Sequence, residues 1–158
     1  MDINADFWND KYTNNETGWD LKSPSTPLKE YIDQLENKDI KILIPGCGNA
    51  YEAEYLAEQG FTAITLLDIS KVVVEIIKEK FKNNPNVKVI HQDFFEFDGQ
   101  FDLILEQTFF CALPPYLRQD YSIKVNQLLT EEGKLVGVRF NRDFGNDFLP
   151  FGGNKTEY

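Results

Sequence analysis

The sequence predicts an α/β fold: a doubly wound, mostly parallel sheet with helices on both faces, forming a single domain over residues 1–158. Three observations predict it. Apolar runs of strand length alternate with helical patterns along most of the chain. The stretch 40–70 reads strand, tight glycine turn, helix, strand and acid, which is one βαβ unit. Gly46, Asp68, Asp93 and Glu106 all fall at carboxyl ends of predicted strands, where open sheets of this kind place their ligands.

Composition narrows the function classes. The chain has 158 residues, 42% apolar and 14% aromatic, enough for one real core. No apolar run approaches the roughly 18 residues of a membrane span, so no membrane partner is expected. The opening MDINADFWND is polar and acidic, unlike a signal peptide. A net charge of −10 and a pI near 4.5 repel phosphate backbones, which argues against nucleic acid as a partner. Cys47 and Cys111 are too few for a disulfide framework, so a reducing, cytoplasmic setting is the default. With one histidine, His91, and no Cys-x-x-Cys, no metal is expected.

Along the chain, residues 1–25 carry Trp8, Tyr12 and Trp19 in an otherwise polar, loop-rich segment. Trp8 and Tyr12 share a face if this piece is helical. The rings either bury themselves on the core or form a lid whose aromatic faces meet a cation. Thr26-Pro27 predicts a helix start, a cap residue followed by proline at the first helical position. Leu28, Tyr31, Ile32 and Leu35 then form one buried stripe.

The strand Ile40 to Pro45 runs into Gly46-Cys47-Gly48. Two glycines allow a sharp turn and close approach of a ligand, and the helix behind them offers free N–H groups. That helix buries Ala53, Leu56 and Ala57 and stops at Gly60. The next strand, Thr62 to Leu67, ends in Asp68, whose carboxylate can accept both hydroxyls of a ribose. A dinucleotide fingerprint wants a third glycine where this chain has Tyr51. An S-adenosyl-L-methionine (SAM) site needs no pyrophosphate cradle, only room for a methionine and an acid for the ribose.

Ser70 caps the following helix, with Val73, Val74, Ile76, Ile77 and Phe81 apolar and Asn83-Asn84-Pro85 ending it. The short strand Val87 to Ile90 leads into Asp93, Phe94 and Phe95. There an acid and a ring suit an adenine, or else Asp93 caps a turn and the phenylalanines are core. Phe101 to Leu105 is a strand ending in Glu106-Gln107, followed by the apolar Phe109 to Leu113. Pro114-Pro115 opens a long helix with Leu117, Tyr121, Val125 and Leu128 inward. Gly133 to Phe140 is the fifth strand. Its Leu135, Val136, Val138 and Phe140 read as buried on both faces. Residues 141–158 read as loop.

The pieces FWNDKY and GWD, ILIPGCGNAYE, LLDIS, QDFF and LILEQTFFCALPP together resemble the thiopurine S-methyltransferase family within the class I SAM-dependent methyltransferases. The likeness is closer to the plant and bacterial thiol and halide/thiocyanate branch. It implies SAM as cofactor, S-adenosyl-L-homocysteine (SAH) as product, and cofactor contacts from Trp8, Tyr12, Trp19, Gly46, Asp68, Asp93, Phe94 and Gln107, which turns the N-terminal aromatics into a lid. The reading of strand ends adds Gly48, Ile69 and Glu106. The acceptor, a small thiol, thiocyanate, a halide or a thiopurine, is expected against Phe109, Phe110, Cys111 and the loop after Phe140, with Asp143 as a polar contact. Arg139 and Arg142 either join Asp143 there or lie on the surface. No catalytic residue is assigned, because a soft nucleophile needs no strong base. Competing readings are a nicotinamide oxidoreductase, a SAM-binding regulator without turnover, and a small-molecule N- or O-methyltransferase. The resemblance also implies a helix and two strands beyond Tyr158. With strand order 3-2-1-4-5 the fifth strand would then lie bare, so a truncated or partly ordered product of a longer protein is expected, and a monomer unless another subunit covers that edge.

Overall fold

The apolar runs become a five-stranded parallel sheet in the order β3-β2-β1-β4-β5. The computed structural model describes residues 3–139, 149–153 and 156. The strands are β1 (Ile42–Pro45), β2 (Ile64–Asp68), β3 (Val87–His91), β4 (Phe101–Gln107) and β5 (Leu129–Val138). The helices are α1 (Ala5–Thr13), α2 (Thr26–Asp33), α3 (Tyr51–Glu58), α4 (Lys71–Lys80) and α5 (Arg118–Leu128). Among the described residues no helix is long and apolar enough to cross a membrane.

Strand alternation divides the core between the two faces of the sheet. Ile42, Ile44, Ile64, Leu66, Leu103 and Leu105 pack with Leu28 and Ile32 of α2, Leu56 of α3, and Val73 and Ile77 of α4. Leu43, Leu67 and Ile104 face the other way, onto Tyr121, Val125 and Leu128 of α5 and a group of phenylalanines. Both faces of β1 are therefore buried, as a central parallel strand requires.

The helix ends follow local chemistry. Ser70 Oγ accepts from the Val73 N–H at 3.2 Å and caps α4, as the sequence predicts. Asn4 does the same for α1, accepting from Phe7 at 3.0 Å, so the front of the N-terminal segment is helical rather than loop. For α2 the capping position is Ser25, one residue before the expected Thr26. The helix expected from Pro114-Pro115 begins as a 3-10 turn over Pro115–Leu117 and becomes α-helical at Arg118.

β5 departs from expectation. It does not bury both faces: Val138 is 37% exposed and Gly137 is exposed as well. Among the described residues it stands at the end of the sheet, with β4 as its paired strand. Phe140 lies outside the described residues.

Candidate functional site

Four strands converge at their carboxyl ends on a cavity of about 610 Å³. That volume falls within the roughly 300–1,000 Å³ typical of small-molecule sites. Its wall includes Trp8, Tyr12, Trp19, Gly46, Asp68, Ile69, Asp93, Phe94, Phe109 and Cys111, all expected from the sequence. A smaller cavity of about 60 Å³ shares Tyr12, Trp19, Gly46 and Thr108 with it and adds Gly48 and Gln107.

The floor is the glycine turn after β1. Gly46 and Gly48 hold φ of +58° and +52°, a left-handed backbone that favours glycine. A Cβ at Gly46 would overlap the Phe109 ring, and one at Gly48 would stand 2.6 Å from the Tyr12 hydroxyl. The turn is thus bare because two rings already cover it. Asp68 closes the next corner. Its Oδ2 accepts from the Gly48 N–H at 3.3 Å and its Oδ1 from the Ser70 N–H at 2.9 Å. Burial pushes the Asp68 carboxyl above the ordinary carboxylate range, opposed by those two N–H groups. A ligand that donates to this carboxylate supplies the solvation that burial removed.

Asp93 caps a turn, one of the two roles left open by the sequence, and it also faces the cavity. Its Oδ1 accepts from the Phe95 N–H at 2.8 Å at the start of a 3-10 turn. Phe94 is buried and still faces the cavity. His91 is structural: its Nε2 lies 2.9 Å from the Ile69 carbonyl.

Residues 3–25 form one side of the cavity. Trp8 and Trp19 meet edge-on at 5.7 Å between ring centres, and Tyr12 and Trp19 at 6.0 Å. None of the three is fully buried; all three line the cavity, and Tyr12 also packs against the core. Two side chains that the sequence analysis passed over fasten this segment. Asn9 Oδ1 accepts from Ser70 Oγ at 2.7 Å and from the Val72 N–H at 3.3 Å. Asp20 Oδ2 accepts from Asn49 Nδ2 and, at 3.1 Å, from the Tyr51 hydroxyl. Tyr51, the residue that departs from a dinucleotide fingerprint, thus ties the N-terminal segment to the start of α3. No sequence pattern marks Asn9 or Asp20, because their partners lie far away in the chain.

Two expected site residues lie behind the cavity instead of in its wall. Glu106 is buried and ion-paired with Arg139, and Phe110 packs on Tyr121. Arg139 is accordingly half-buried, with its guanidinium turned onto Glu106. Leu113, Pro114, Leu117, Leu149 and Pro150 complete an apolar end of the cavity. Burial pushes the Cys111 thiol there up to about 11. Arg142 and Asp143 lie outside the described residues.

A cofactor with a polar nucleoside end and a sulfonium fits this arrangement: bare glycines, a buried carboxylate in the wall, and a ring of aromatic faces.

Known proteins share this frame. The thiopurine S-methyltransferase (TPMT) family model matches residues 3–143. A probable thiol methyltransferase 2 of Arabidopsis thaliana is 31% identical over 156 residues, covering 96% of this chain and 69% of that protein. Thiocyanate methyltransferase 1 of Brassica oleracea is 27% identical over 139 residues, covering 84% of this chain and 61% of that protein. The chain thus spans between about three fifths and seven tenths of these relatives' length. Among solved structures, a 1,6-didemethyltoxoflavin-N1-methyltransferase of Burkholderia thailandensis, with S-adenosylhomocysteine bound, superposes with a TM-score of 0.75 at 18% identity. It covers 89% of this chain and 62% of that one, a likeness of fold. The family match over most of the chain, joined to the sheet order and the site at its carboxyl edge, places this chain in the thiopurine S-methyltransferase family.

Proposed function

We propose that the chain is a SAM-dependent methyltransferase acting on a small thiol, on a soft anion such as thiocyanate or a halide, or on a thiopurine. The observation that carries the reading is Asp68, a buried carboxylate at the end of β2 that lines the cavity beside the bare Gly46 turn. In this reading Asp68 holds the ribose hydroxyls. Asp93 and Phe94 meet the adenine, and the cavity beside the Gly46–Gly48 turn, lined by Tyr12 and Phe109, takes the methionine part. Trp8, Tyr12 and Trp19 lie over the cofactor as a lid, with residues 1–25 as the lid segment of a single domain.

When bound, the cofactor supplies an electrophilic methyl group on a sulfonium. The chain's own work is placement. It holds the nucleoside end by hydrogen bonds, surrounds the cation with aromatic faces, and keeps water from the acceptor end. An apolar wall of Phe109, Cys111 and Leu113 suits an acceptor that arrives as a soft nucleophile and needs no proton removed. No histidine lines the cavity among the described residues. Two free thiols fit a cytoplasmic setting, and the charge of −10 fits a small-molecule acceptor, not nucleic acid, for a chain working as a monomer.

Two measurements test the reading together. Calorimetry should show SAH binding and no NAD binding. A panel of thiols, thiocyanate, iodide and thiopurines, with methylated product detected directly, should show turnover. NAD binding in place of SAH rejects the cofactor. SAH binding with no turnover across the panel leaves a SAM-binding regulator.

A further inference from the structure

Behind the aromatic wall lies a buried charged network that methyl transfer does not use. The Glu106 side chain has no solvent exposure. Its Oε1 accepts from Arg139 Nε at 3.2 Å and its Oε2 from the Phe110 N–H at 3.4 Å. Arg139 also donates from Nη2 to the Tyr121 hydroxyl at 3.1 Å, and its guanidinium carbon stands 4.4 Å from the centre of the Phe110 ring. From there the contacts run to the cavity. Tyr121 stacks on Phe94 at 5.7 Å, and Phe94 meets Phe109 edge-on at 5.2 Å. Phe109 in turn leaves no room for a Cβ at Gly46.

The loop joining β4 to this wall needs holding. Thr108 sits at φ +59°, a left-handed conformation that a β-branched residue keeps only when its surroundings impose it. Glu106 spans that residue by bonding the backbone of Phe110. Without its cation, a buried carboxylate is strongly disfavoured as an ion. We propose that Arg139 is a positioning residue: through Glu106 it fixes the 107–111 loop and so sets the acceptor wall of Phe109 and Cys111. It acts from outside the cavity lining, touching neither cofactor nor acceptor.

The assignment of the wall to an acceptor rests on the methyltransferase reading, so the first readout is independent of turnover. Hydrogen exchange, followed by mass spectrometry, compares the parent with Arg139→Gln, Arg139→Lys and Tyr121→Phe. In Arg139→Gln, amides of 107–113 should exchange about tenfold faster or more, while those of β1 and β2 stay within about twofold. Arg139→Lys should recover part of the protection by restoring charge. Tyr121→Phe, which keeps the ion pair, should show a smaller effect in the same segment. In turnover, the acceptor KM should rise about tenfold while SAH affinity by calorimetry moves less than about threefold. Unchanged exchange at 107–113, or equal acceleration across β1 and β2, overturns the proposal. If Arg139→Gln does not fold, the lysine and phenylalanine variants decide by the same segment. A parent that neither binds SAH nor turns over an acceptor rejects the methyltransferase reading, while the exchange contrast still scores the network.

Discussion

At the residue scale, Asp68 joins two tasks. It accepts from the backbone of Gly48 and Ser70, which ties the glycine turn to the start of α4, and it faces the cavity. Truncation removes the proposed ribose acceptor and loosens that tie. Asp68→Ala should weaken SAH by about 2–4 kcal/mol, the value of two hydrogen bonds to a charged acceptor. Calorimetry decides, and parent-like affinity removes Asp68 from the site. A second change probes the floor. Gly46→Ala would push a methyl group into the Phe109 ring at a positive φ. It should destabilise the fold by about 1–3 kcal/mol in urea titration and weaken SAH as well. An unperturbed variant would mean that Phe109 is free to move away. Both residues were legible in the sequence because their constraints are local: a turn needs glycine, and an acid ends the next strand. The Glu106–Arg139 pair was not legible. Its partners stand 33 residues apart and meet only when β5 lies beside β4. Glu106 therefore looked like a cofactor ligand, and Arg139 like either a surface residue or a polar contact of the acceptor.

At the element scale, the elements with strong signals came through intact. Helix α4 shows its Ser70 cap and its buried Val73, Val74 and Ile77, and the strand order β3-β2-β1-β4-β5 is the one the alternation implies. What patterning missed lies at the ends of the chain. The helix α1 buries none of its residues fully and packs against α4, so its apolar stripe is too weak to read. The character of β5 depends on what flanks it, which hydrophobic spacing does not report. The N-terminal segment is held by two clasps, Asn9 on the cap of α4 and Asp20 on the start of α3. Asp20→Ala should free the second clasp without altering the lining of the cavity of about 610 Å³. SAH should then bind about 1–2 kcal/mol more weakly, mainly through faster release, with Tm nearly unchanged. Stopped-flow tryptophan fluorescence, reading Trp8 and Trp19 as the ligand leaves, measures this. A parent-like off-rate would return the aromatics to simple packing against the body of the protein.

For the whole molecule, the sheet's carboxyl edge concentrates buried carboxylates in a chain that already carries a charge of −10. Burial raises the carboxyl groups of Asp68 and Glu106 above their ordinary values, in Glu106 against the pull of Arg139. A carboxyl whose folded pKa exceeds its unfolded one holds its proton more firmly in the folded state. Stability contributed by that group is present at low pH and is lost as pH rises through the window between the two values. That window opens at the ordinary carboxylate range near 4 and extends upward to the raised folded values. The self-repulsion of an acidic chain has the same sign, since acidification reduces net charge. Ligand-free protein should therefore melt at higher temperature as pH falls from neutral toward about 5, before general acid unfolding takes over. The ligand should show the opposite trend. If ribose hydroxyls donate to the ionised Asp68, as proposed, the SAH-induced rise in Tm should be largest near neutral pH and shrink as Asp68 takes its proton. A thermal-shift series from pH 5 to pH 8, with and without SAH, separates the two slopes. In Asp68→Ala the ligand-induced rise should be small and flat with pH. If the parent's ligand shift is equally flat, the ribose is held elsewhere, and the charge buried at the end of β2 serves the glycine turn alone.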